Sequence, residues 1–163
     1  MKDDIVSSTA FTVAQGILLV SRKRKINSLV SDLEKRFYIE ILKSSNGGRK
    51  KLKQVQNPVF RFLVPFIERL MIPGLTIHYV LRKKAIEKFT RSALKNGAQQ
   101  IINLGAGFDS LAYRLAIEYP EVNSIEIDHP ATHQVKKEVA RVRTFRFQTV
   151  DCIYYRRCIN VSR

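Results

Sequence analysis

Gln99-Gln100-Ile101-Ile102-Asn103-Leu104-Gly105-Ala106-Gly107-Phe108-Asp109-Ser110 is the stretch on which the fold of this chain turns. An apolar run, Ile101 to Leu104, ends in a Gly-x-Gly turn, and a helix-like segment follows from Leu111 to about Tyr119, closed by Pro120. Asn123 to Asp128 then reads as a second short strand that ends in an acid. Strand, glycine turn, helix, strand, carboxylate is the opening half of a nucleotide-binding α/β unit. The first strand is of the kind buried in parallel sheets. Leu111, Ala112, Leu115, Ala116 and Tyr119 form the buried face of the crossover helix, and Ile125 and Ile127 anchor the second strand. Pro130 suits the first turn of a further helix, lined by Val135, Val139 and Val142. Phe145, Phe147 and Thr149 alternate with Arg146, Gln148 and Val150. That alternation predicts a third strand ending near Asp151, on the same sheet edge as Asp128.

The residues around the turn narrow the ligand. A glycine turn before a helix lets a ligand approach the backbone and meet free N–H groups. The dinucleotide fingerprint G-x-G-x-x-G fails, because Leu111 follows Ser110 where the third glycine belongs. Asp109 stands at the mouth of the helix, where a pyrophosphate would meet a like charge. A carboxylate there is better placed beside a ligand carrying an ammonium and a sulfonium. Asp128, 21 residues after Gly107, is positioned to accept hydrogen bonds from both hydroxyls of a ribose. Asp151, on the predicted third strand, is placed to meet an adenine amino group. Three acids and a glycine turn on one edge suit S-adenosylmethionine better than NAD, and other nucleotide or sugar enzymes remain open on these residues alone.

Upstream, residues 1–45 read as helical. Ser7, Ser8 or Thr9 is placed to cap a helix through Ala10, Ala14, Ile17 and Leu18. Arg22-Lys23-Arg24-Lys25 interrupts it, and Leu29, Leu33, Phe37 and Ile41 recur at steps of four within a second segment, Ile26 to Leu42. Ser44-Ser45-Asn46-Gly47-Gly48 is a loop by composition, leading into the basic run Arg49 to Lys53. Pro58 to Met71 is an apolar helix candidate that Pro65 breaks or kinks and Pro73-Gly74 ends. Core packing is the preferred reading of that helix over a lid or membrane-surface segment. In the helix over 76–95, Arg82, Ile86, Phe89 and Ala93 share one face, so Arg82 is expected at the edge of the core, where a cation wants an anionic partner.

The chain has 163 residues, 45% hydrophobic, enough for one domain with a real core. Lys and Arg number 29 against 14 Asp and Glu, a net charge of +15. That excess attracts polyanions, although a solvated basic surface explains it as well. Cys152 and Cys158 give no disulfide framework, and a reducing cytoplasm fits them. The apolar segment Thr9 to Val20 is too short to span a bilayer, which takes roughly 20 residues, and its charges are in the wrong order for a signal peptide. His129 and His133 lie one helical turn apart without a third ligand, and Cys152 and Cys158 lack a second pair, so no metal is expected.

The runs INLGAGFDSLAYRL and IEIDHPATHQVKK resemble the leucine carboxyl methyltransferase-like family of S-adenosylmethionine-dependent methyltransferases, many of them O-methyltransferases. Ser8-Thr9-Ala10 with Ala14 resembles the family's N-terminal segment more weakly. The resemblance covers roughly residues 5–151. It implies that Arg82 pairs with the cofactor's methionine carboxylate, that Gly105 and Gly107 turn beneath its methionine part, and that Asp128 holds the ribose. It further implies that Asp151 lies at the adenine with the backbone of Cys152 beside it; the family usually has an apolar residue where Cys152 stands. Family members continue into a tryptophan-containing segment and an E-G-x-x-x-Y motif. This chain has no Trp and no such motif, and residues 152–163 follow no clear period, so a C-terminally truncated chain is expected.

The expected fold is α/β: a Rossmann-like class I methyltransferase fold with a helical lead-in or cap (1–97), a first half of the cofactor-binding domain with about three parallel strands (98–151), and an atypical tail (152–163). The expected function is methyl transfer from S-adenosyl-L-methionine to an oxygen of a small molecule or protein carboxylate, in the cytoplasm, with activity in question for a truncated chain. The alternative is a basic module for nucleic acid or an acidic membrane surface. It ranks lower because no aromatics interleave with the basic clusters.

Overall fold

In the computed structural model, residues 8–142 and 151–154 are described. The chain forms two compact units, divided between Ala93 and Leu94. The expected α/β class holds in its broad form: helices precede a three-stranded parallel sheet of order β1-β2-β3.

The helical unit contains α1 (Ser8–Ser21), α2 (Asp32–Lys43), α3 (Asn46–Gln56), α4 (Pro58–Met71) and most of α5 (Leu75–Lys95). Its core gathers Phe11, Ala14, Ile17, Leu18 and Val20 of α1, Phe37, Tyr38, Ile41 and Leu42 of α2, and Val55 of α3. The single helix expected from Ile26 is instead a 3-10 turn at Asn27–Leu29 followed by α2. Ser31 sets the break. Its hydroxyl accepts the Glu34 N–H at 3.2 Å while the Glu34 carboxylate accepts the Ser31 N–H at 2.9 Å, a closed capping box. The buried face of α2 therefore includes Glu34 and leaves Leu33 exposed. Replacing Ser31 by alanine should cost about 1 kcal/mol of stability, read as a lowered midpoint in urea; an unshifted midpoint would remove the box from the stability account.

The expected loop at 44–48 is a correction of the same kind. Gly47 and Gly48 belong to α3, because the Ser45 hydroxyl accepts the Gly48 N–H at 2.9 Å and starts the helix there. A Cβ built at Gly48 would fall on the Leu42 carbonyl, so this glycine lets α3 approach the end of α2. Pro65 does not break α4, which runs through it. Asn57 caps α4, its side-chain oxygen accepting Val59 N–H at 2.8 Å, and Pro58 takes the first helical position.

Core packing of α4 and of the Arg82 face of α5 is not observed. Glu68 of α4 accepts the Thr76 N–H, and Arg61 has a buried Nε. The apolar residues Val59, Phe62, Phe66 and Leu70 are exposed. In α5 the inward side carries Val80, half-buried Lys84 and buried Glu87. Lys84 lies 3.4 Å from Glu34 and 3.2 Å from Glu87, and Arg91 lies 3.0 Å from Glu87. This ionic seam takes the inner side, so Arg82, Ile86 and Phe89 face outward.

The second unit holds β1 (Gln100–Leu104), α6 (Leu111–Glu118), β2 (Asn123–Asp128), α7 (Pro130–Val142) and β3 (Asp151–Tyr154). In register, Ile101 pairs with Ser124, Leu104 with Ile127, and Asp128 with Tyr154. Leu94, Leu111 and Leu115 form a core cluster against Ala98, Ile101, Tyr119 and Val122. The expectation that β1 is buried on both faces is corrected: Ile102 and Leu104 are exposed while Ile101 is half-buried. A parallel sheet needs cover on both faces to bury a whole strand, and the cluster around Leu111 covers the Ile101 side. The buried side of α7 is Thr132, His133, Lys136 and Ala140, with Val135 and Val139 at its flanks.

Candidate functional site

The glycine turn is built by backbone geometry. Gly105 and Gly107 have φ of 64° and 51°, a region that glycine enters without a Cβ penalty. The Gly105 N–H donates to the Ile127 carbonyl at 2.8 Å, tying the turn to β2. Asp128 stands at the end of β2. One of its carboxylate oxygens accepts the Gly107 N–H and the other accepts the His129 N–H. A Cβ on Gly107 would lie 4.0 Å from the Asp128 oxygen, so the turn and the acid share one small recess. Each carboxylate oxygen keeps acceptor capacity beyond its one amide bond.

Asp109 begins α6. Its side-chain oxygen accepts the Leu111 N–H at 3.1 Å, so part of its charge serves the helix N-terminus. The charges of Asp109 and Asp128 both push up the Glu126 carboxyl, which brings these three acids within one field.

Glu126 and Lys136 are a pair that sequence reading missed. Their charged atoms meet at 2.7 Å with both side chains nearly sealed from solvent, at 2% and 1% exposure. Burial is the largest influence on Glu126 and pushes its carboxyl above the ordinary 4.5, while Lys136 pulls it back. The Lys136 ammonium also lies 5.1 Å from the centre of the Tyr113 ring. The signal was available: a glutamate between two isoleucines in a buried strand requires a cation from the next helix.

His129 and His133 sit in different surroundings. His129 Nδ1 accepts the Ala131 N–H at 3.3 Å, an N-terminal cap for α7. His133 is buried, and burial together with Lys137 and Lys136 holds its imidazole below the usual value. Among the described residues no three His, Cys, Asp or Glu side chains cluster as metal ligands.

Asp151 and Cys152 are placed by backbone register. In β3, Asp151 is level with Ile125 and Cys152 with Glu126; Tyr154 is the residue that aligns with Asp128. The expected strand end at Asp151 is therefore corrected. β-prone Ile153 and Tyr154 carry the ladder past the acid, so Asp151 sits three residues short of the edge that Asp128 occupies. The predicted strand over 145–150 lies outside the described residues. Arg82 belongs to the other unit, on the exposed face of α5.

A profile of the family "Leucine carboxyl methyltransferase" matches residues 27–153. The chain belongs to this methyltransferase family. A protein of Bacillus subtilis (strain 168) named "Putative S-adenosyl-L-methionine-dependent methyltransferase YktD" is 43% identical over 60 residues, 34% of this chain. The match spans 18% of that relative's length. No solved structure matches the chain. Among the described residues no helix is long and apolar enough to cross a membrane.

Proposed function

We propose that this chain of the leucine carboxyl methyltransferase family binds S-adenosyl-L-methionine on a Rossmann-like half-sheet and serves methyl transfer to a carboxylate or hydroxyl oxygen. The observation that carries the reading is the recess made by Gly105, Gly107 and Asp128, where two positive-φ glycines bare the backbone beside an oriented carboxylate. The cofactor, when bound, supplies an electrophilic methyl group on a sulfonium. Asp128 accepts the ribose hydroxyls, held in place by the Gly107 and His129 amides. The Gly105–Gly107 backbone admits the methionine part without a side chain in the way. Asp109 sets a negative field at the start of α6 that favours the ammonium and sulfonium charges. Asp151 and the backbone of Cys152, on the strand beside β2, lie at the adenine.

A carboxylate acceptor is already a nucleophile, so transfer to it needs positioning and no general base. Isothermal titration of the chain with S-adenosyl-L-methionine tests the reading. Saturable binding is expected. Absence of saturable binding would overturn the reading.

A further inference from the structure

We infer that the outward face of α4 docks this protein on an anionic lipid surface. Val59, Phe62, Leu63, Phe66, Ile67 and Leu70 recur at steps of three and four and form one stripe along the 14-residue helix, about 21 Å long. All six are exposed; Phe62 reaches 83%, Leu70 73% and Phe66 65%. The half-buried side of the helix carries Phe60, Arg61, Val64 and Glu68, which leaves the stripe without cover. A contiguous apolar stripe of this size on a soluble surface marks a contact site.

The charge around the stripe selects the occupant. Phe62 lines a cleft of about 420 Å³ together with Arg22, Lys23 and Arg61. These three cations form no ion pair or hydrogen bond through their side chains with any described residue. The helical unit, residues 7–93, carries 18 Lys and Arg against five Asp and Glu, a net +13. Two copies meeting through this face would bring like charge against like charge. Nucleic acid offers phosphates but nothing for an aliphatic and phenyl stripe on a convex helix to enter. A bilayer with acidic headgroups offers both parts at once: phosphates for Arg22 and Lys23, and an acyl boundary for Phe62, Phe66 and Leu70. The helix lies in the plane of the interface.

This inference is independent of the cofactor site. The test is co-sedimentation of the full chain with large vesicles of phosphatidylcholine alone, and of phosphatidylcholine mixed with phosphatidylglycerol. Binding to the mixed vesicles is expected, with release as salt rises. Phe62→Ser with Phe66→Ser should lower the partition coefficient by roughly a hundredfold, about tenfold for each phenyl withdrawn from the apolar phase. Arg22→Glu with Lys23→Glu should abolish the preference for the acidic vesicles. All four side chains lie at the surface or its edge, so circular dichroism should be unchanged in both variants. Titration with S-adenosyl-L-methionine should be unchanged in the Phe62/Phe66 variant, and Asp128→Ala should leave vesicle binding intact. Wild-type-like vesicle binding by the Phe62/Phe66 variant overturns the inference. So do equal binding to neutral vesicles, a dimer that forms through the stripe without vesicle binding, and retention on RNA in its place.

Discussion

Asp128→Ala should reduce affinity for S-adenosyl-L-methionine by at least about a hundredfold. In the proposed site this carboxylate accepts two ribose hydroxyls, and a hydrogen bond to a charged group contributes about 1.5–3 kcal/mol. The substitution acts twice. It removes the acceptor, and it also releases the Gly107 and His129 N–H groups that Asp128 now engages. The turn then loses one of its ties to β2 and keeps the Gly105 to Ile127 bond at 2.8 Å. Asp128→Asn separates the two effects. An asparagine oxygen can still accept the Gly107 N–H, so the turn stays seated while the charge is gone, and an intermediate loss is expected. Titration calorimetry on both variants, with far-UV circular dichroism to verify folding, makes the comparison. Wild-type affinity in Asp128→Ala would dismiss the ribose assignment and, with it, the reading of the recess.

Lys136→Met should destabilise the protein by about 3–5 kcal/mol, the range found when one partner of a buried ion pair is removed. The cost arises because Glu126 stays behind, with its other oxygen already lacking a partner and Asp109 and Asp128 both adding negative charge nearby. The pH dependence has a definite sign. Burial raises the Glu126 carboxyl in the folded state above its ordinary 4.5. A raised carboxyl binds its proton more tightly when folded than when unfolded, so its contribution is present below the unfolded value and fades as pH rises through the folded one. In Lys136→Met both lowering influences of Lys136 are gone, so the loss should be mild near pH 4 and severe at neutral pH. The double variant Glu126→Leu with Lys136→Met should recover most of the stability. Urea midpoints across pH decide this. A flat pH profile in Lys136→Met would mean that water reaches Glu126.

The glycine turn, the helix starts at Pro58 and Pro130 and the Asp128 carboxylate were legible in the sequence. They rest on local rules: period, caps and positive φ at the two glycines. Ser31 and Glu34 carried a capping signal as clear as any of these, yet an apolar repeat from Leu29 to Ile41 masked it. The two largest departures, the outward faces of α4 and α5, share one cause. Period shows that a helix has an apolar side but not which neighbour that side meets. In α5 the seam of Glu34, Lys84, Glu87 and Arg91 takes the inner side, and no local pattern foretells a cation on one helix matched to a glutamate fifty residues earlier.

The sequence by itself determined the glycine turn, the acid at the end of β2 and the family, because each depends on residues close together in the chain. Tertiary structure alone decided that Asp128 grips the turn through the Gly107 amide, that Glu126 is neutralised by Lys136, and that β3 runs past Asp151 to Tyr154. Those outcomes depend on strand register and on long-range charge pairing, which are set by what packs against each element and not by the element's own residues.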